Sequence, residues 1–142
     1  MVLEHQLNIQ KSKEVYKALS HSIEIKQCYN NVYNVLTSRY RKQFSSRKWK
    51  IAYGYLSSIE NIMVRHCFII DEEGKAIDPT IIATNRLDRA EFPEYISFVV
   101  LDEEEYIKEL EEAHWYPTLY TSFQEEVGKA LEWARVKERV LV

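Results

Sequence analysis

The chain has little cysteine, glycine or proline: two, three and three among 142 residues. Two cysteines are too few for a disulfide scaffold, so stability has to come from an apolar core. So little glycine and proline argues against a long linker and predicts a single domain over 1–142. Within it we expect a core about 11–101 and a C-terminal helical extension about 102–142. No apolar run approaches bilayer length, which predicts no membrane partner. Met1-Val2-Leu3-Glu4-His5-Gln6 lacks the basic-then-apolar pattern of a signal peptide. With the cysteine count, this predicts a reducing, cytoplasmic setting. Glycine-rich phosphate loops, G-x-S-x-G elbows and paired Cys or His metal spacings are missing, so the reading calls for no cofactor and no metal. His5, His21 and His114 show no partner pattern.

What is present is the balance of an ordinary globular domain, 46% hydrophobic and 29% charged. Ten tyrosines suit either a groove or the edge of a core. The net charge of −3 hides an asymmetry. Arg39, Arg41, Lys42, Arg47, Lys48 and Lys50 form a basic stretch, while Asp102 to Glu112 is acidic. A basic stretch marks either a nucleic-acid surface or the solvated end of a helix. The acidic total ranks nucleic acid below a peptide or protein as partner.

Periodicity places a helix over Lys11–Ser20 and another from Cys28 to about Gln43, with Val32, Val35 and Leu36 buried. Lys48–Leu56 alternates as a strand, with Trp49, Ile51, Tyr53 and Tyr55 on one side. Met63–Ile70, Lys75–Asp78 and Tyr95–Leu101 are further strands, and Ile81–Pro93 reads as a surface loop. Asp102 with Glu105 makes a capping box for one helix. Thr121 with Gln124, or Ser122 with Glu125, starts a last one, with Phe123, Val127, Leu131 and Ala134 on one face. Helices, then antiparallel strands, then helices make an α+β fold.

Chemistry enters with Cys28, His66 and Asp78 in the order nucleophile, base, orienter. Whether they meet depends on one hairpin. A three-residue loop Glu72-Glu73-Gly74, with glycine left-handed, pairs Ile70 with Ala76, Ile69 with Ile77 and Phe68 with Asp78. Opposed residues share a sheet face, and His66 is two residues from Phe68. Asp78 and His66 then become diagonal neighbours. A loop one residue shorter or longer turns Asp78 to the other face. The apolar side of Val64, His66, Phe68 and Ile70 should face the helix that begins at Cys28, where unpaired N–H groups favour a thiolate.

The Cys28 N–H is one candidate donor to an oxyanion. For a second, Gln27, Asn30, Asn31 and Trp49 all remain open. Tyr29, Trp49, Gly54 and Tyr55 are candidates for the substrate groove. Each residue also has a structural reading: Cys28 as a small buried hydrophobe, His66 as a satisfied core histidine, Asp78 as a turn starter before Pro79, Gly54 as a bulge. Cys67 points away from His66 and reads as core.

The stretch from Cys28 to Thr80 resembles the transglutaminase-like core of the papain-like cysteine protease superfamily. There a cysteine opens a helix, an aromatic strand leads to Gly-Tyr, and His-Ala-Trp-like and Asp-Pro-Thr-like segments follow. This chain has Trp49-Lys50-Ile51-Ala52-Tyr53-Gly54-Tyr55, His66-Cys67-Phe68-Ile69 and Asp78-Pro79-Thr80. It departs from the pattern with Phe68 in place of the usual Trp and Cys67 in place of the usual Ala. The resemblance implies a Cys-bearing helix packed on a small antiparallel sheet and acyl-transfer chemistry through a thioester. The expected activity is a cysteine hydrolase or acyltransferase acting on a peptide or protein amide. A non-catalytic binding or inhibitory module on the same scaffold is the alternative.

Overall fold

In the computed structural model, residues 1–58, 60–85, 93–116 and 119–142 are described, those at 119 and 121 by backbone only. They form an α+β fold. The elements in chain order are β1 (Leu3–His5), α1 (Ile9–Ala18), α2 (Cys28–Leu36), α3 (Arg41–Ser45), β2 (Lys50–Ser57) and β3 (Ile62–Ile70). β4 (Ala76–Ile77), α4 (Pro79–Ala83), β5 (Tyr95–Leu101), α5 (Glu103–Glu112), α6 (Gln124–Val136) and β6 (Val140–Leu141) follow. The sheet order is β1-β5-β2-β3-β4, with β6 pairing β3 in parallel, so the sheet is mixed rather than purely antiparallel.

Both faces of this sheet are buried, which is why β2 and β3 read as nearly continuous apolar runs. Ile51, Tyr53, Tyr55, Met63, Cys67 and Ile69 belong to the larger core, with Val32, Val35 and Leu36 of α2. Ala52, Leu56, Phe68, Ile70 and Tyr95 belong to a smaller one, with Ile81 of α4. From the C-terminal segment, Tyr106, Leu110, Tyr120 and Ala130 lie in the larger core. On α6 the buried positions are Ala130 and Ala134, while Leu131 is exposed, one helical step off the stripe.

Several local expectations shift for identifiable reasons. The helix from Cys28 stops at Leu36, because the Thr37 and Ser38 hydroxyls donate back to the carbonyls of Tyr33 and Val35. Part of the expected 81–93 loop is helix α4, which Pro79 opens at its first turn, while residues 86–92 lie outside the described set. α6 starts after Phe123 with no side-chain cap, preceded by a 3₁₀ turn over Leu119–Phe123. The Asp102–Glu105 capping box forms with both hydrogen bonds in place.

The charge asymmetry is in part paired within the fold. Arg41 lies 2.9 Å from Glu103, and Arg47 lies 3.8 Å from Asp102. The basic stretch therefore meets the acidic start of α5, where carboxylates also complement the helix dipole.

Candidate active site

The hairpin takes the expected register: Ile69 pairs with Ile77 and Ile70 with Ala76. Asp71 N–H donates to the Lys75 carbonyl, Gly74 N–H donates to the Asp71 carbonyl, and Gly74 has φ +79°. Asp71 Oδ1 accepts from the N–H groups of Glu73 and Lys75, which locks the loop. Asp78 thereby comes to the His66 side of the sheet. His66 Nε2 and Asp78 Oδ2 are 2.7 Å apart, and both residues are buried.

Asp78 stands at the N-cap of α4 but makes no capping bond. Its carboxylate is turned inward, where Oδ2 also accepts from the Tyr95 hydroxyl at 2.6 Å. Its backbone N–H donates to Ser12 Oγ, which in turn donates to the Asn8 carbonyl. The turn-starter reading therefore does not describe this residue.

Cys28 opens α2 and lines the same cleft as His66, near enough that it adds to the rise in the His66 pKa. Nε2 is committed to Asp78, so Nδ1 is the ring nitrogen left for the thiol. The approach differs from expectation. α2 packs on the face of Cys67, while His66 faces Phe68, Tyr95 and Asp78. The second edge of β3 explains how they still meet. Among the described residues, β6 covers that edge at Ile62–Met63 and β4 at Ile69–Ile70, and no strand covers it between. The helix N-terminus approaches at this gap. A cleft of about 410 Å³ opens there, lined by Lys26, Cys28, Tyr29, Leu56, Val64, Arg65, His66, Thr80, Ile81 and Thr84.

Burial by itself disfavours the His66 imidazolium. The Asp78 carboxylate outweighs it by charge and hydrogen bond, with Cys28 adding to the effect, and together they push His66 up to about 10 from 6.5. We expect a ring-carbon NMR titration to show His66 protonated through neutral pH, and Asp78→Asn to move its midpoint down toward 6.5. An unmoved midpoint would refute the coupling. Because the folded state holds this proton more tightly, the associated stability is fully present below pH 6.5 and is lost as pH rises through about 10.

The candidate oxyanion donors separate. Asn31 is buried and occupied: it bonds the Glu24 N–H and carbonyl and the Thr80 hydroxyl oxygen, so it clasps the 24–27 segment. Trp49 stacks on Tyr40 and packs edge-on against Phe44, just before β2 and five residues ahead of Gly54 at His66, so it is not at the site. Gln27 and Asn30 are exposed and bonded to each other on a neighbouring polar surface, off the cleft.

Of the groove candidates, Tyr29 lines the cleft, while Tyr55 is core against Phe98 and Tyr120. Gly54 is buried opposite both His66 and Ser97. A Cβ there would overlap the Ile96 carbonyl oxygen, so the glycine admits the β5 backbone rather than a substrate. β5 bulges at this point, with Phe98 the extra residue between Ser97 and Val99.

Three supporting residues went unrecognised in the sequence. Tyr95 and Ser12 hold Asp78, and Tyr120 holds the strand of His66. The Tyr120 hydroxyl accepts the His66 N–H at 3.1 Å and donates to the Gly54 carbonyl, tying β2 to β3. The one sequence signal for Tyr95 and Tyr120 is that a buried tyrosine needs a partner for its hydroxyl, and Ser12 had none. His5, expected to lack partners, bonds the Gly74 carbonyl and Ser97 Oγ at 2.8 Å each, and burial lowers its pKa.

Among the described residues, no cluster of three or more His, Cys, Asp or Glu side chains stands ready to hold a metal. No described helix is long and apolar enough to cross a membrane. No protein-family model, curated protein or solved structure matches the chain.

Proposed function

We propose that the protein is a cysteine-dependent hydrolase or acyltransferase, working through a thioester on a peptide or protein amide. Its scaffold is read as a transglutaminase-like variant of the papain-like core, and its setting as cytoplasmic. The observation that carries this reading is that His66, 2.7 Å from the Asp78 carboxylate, lines one open cleft with Cys28 at the start of α2.

In the proposed reaction, Nδ1 of the His66 imidazolium already carries the proton from Cys28, and the sulfur attacks the substrate carbonyl as the thiolate of that ion pair. The Cys28 N–H, in the first turn of α2 where no intrahelical acceptor exists, donates to the oxyanion. Asp78 holds the ring orientation and balances the imidazolium charge. His66 then protonates the departing amine, leaving a Cys28 thioester. Water or a second amine resolves it, with its proton passing to His66 and the sulfur leaving as thiolate. The pairing of Arg41 and Arg47 with acidic side chains leaves less of the basic stretch for nucleic acid.

Iodoacetamide labelling near neutral pH tests the reading. Cys28 should react much faster than fully buried Cys67, both thiols being free. Equal, slow labelling of the two would leave a non-catalytic module instead.

A further inference from the structure

We propose that the cleft beside Cys28 selects an acidic peptide: an apolar side chain next to the reacting carbonyl, flanked by carboxylates. This rests on the catalytic reading of the same site. Among the described residues that line it are the basic side chains Lys26 and Arg65 beside His66, and no Asp or Glu. In a chain of net charge −3 this is a local inversion of sign. Neither cation has an acidic partner within ion-pair distance among the described residues, whereas Arg41 and Arg47 do.

The backbone of Lys26 and the side chain of Arg65 are held in place. Lys26 adopts φ +61°, a left-handed backbone that costs a non-glycine residue on the order of 1 kcal/mol. The Asn31 clasp on Glu24 fixes the segment that carries it to the start of α2 and, through Thr80, to α4. Arg65 lies with its guanidinium 4.8 Å from the centre of the Tyr120 ring. The same Tyr120 hydroxyl holds the backbone of His66, so this charge is registered to the catalytic strand.

In the same cleft, Leu56, Val64 and Ile81 give an apolar wall in a space that suits one side chain and its adjoining backbone. The Thr80 oxygen accepts from Asn31, which leaves its O–H to donate into the cleft. An apolar wall beside a nucleophilic sulfur, rimmed by fixed positive charge, fits a peptide better than a polynucleotide.

Two matched probes test this, iodoacetyl-Leu-Glu-Glu-amide and iodoacetyl-Leu-Gln-Gln-amide, which share an electrophile and differ in charge. At low salt the acidic probe should label Cys28 about tenfold faster. That ratio should fall toward one in a Lys26→Gln/Arg65→Gln variant and in high salt. A ratio near one in the wild type, or one unchanged in the double variant, overturns the proposal while leaving the catalytic reading intact. Slow labelling by both probes strikes the catalytic reading instead. The charge preference is then read in Cys28→Ser by fluorescence anisotropy of fluorescein-Leu-Glu-Glu-amide against its Gln counterpart. Equal binding of the two, or full competition by a short oligothymidine, overturns the acidic-peptide preference.

Discussion

His66→Gln slows alkylation of Cys28 at neutral pH by about a hundredfold, the lower end of what a positioned base contributes. Glutamine is the informative replacement. His66→Ala would leave the Asp78 carboxylate buried beside an empty space, and an unpaired buried charge costs about 3–5 kcal/mol. The Gln amide still donates to Asp78 but has no basic nitrogen to take the thiol proton. Mass-spectrometric time courses report the Cys28 rate against Cys67 within the same molecule. Asp78→Asn should give a smaller loss, because the ring keeps a partner on Nε2 while losing the charge that raises His66. Unchanged Cys28 labelling in His66→Gln would show that the imidazole plays no part in activating the sulfur.

Gly54→Ala has the largest expected effect on stability, about 4 kcal/mol or more. The new methyl group would overlap the Ile96 carbonyl oxygen and lie 2.8 Å from Ser97 Cα, both backbone atoms that cannot rotate aside. Relief requires β5 to move off β2, which breaks the ladder on both sides of the bulge. It also draws Tyr95 away from Asp78, so surviving folded protein should show a downshifted, broadened His66 resonance. Gly128, where an added methyl group would meet nothing within 4 Å, provides the control: Gly128→Ala in mid-α6 should be neutral or slightly stabilising. Urea unfolding of the two variants side by side measures the contrast, and a Gly54→Ala loss below about 1 kcal/mol would mean that β5 yields easily.

The hairpin was legible in the chain before any packing was known. The glycine of Glu72-Glu73-Gly74 favours one loop geometry, and side-chain alternation along β3 and β4 does the rest, because register and facing are local properties of extended chain. Equally legible were the helix start at Cys28, from apolar periodicity with no capping bond at Gln27, and the cap at Asp102, which is written in adjacent residues. Which face α2 covers was left to tertiary packing. β2 and β3 are apolar on both sides, so nothing in their pattern distinguishes the Cys67 face from the His66 face. Packing also made Trp49 and Tyr55 core, gave Gly54 to the approach of β5, and set Tyr95, Ser12 and Tyr120 behind the candidate triad. These supports are contacts between residues 17 to 66 positions apart. Sequence spacing carries no trace of them, because long-range packing is set by how whole elements stack and not by any local preference of the chain.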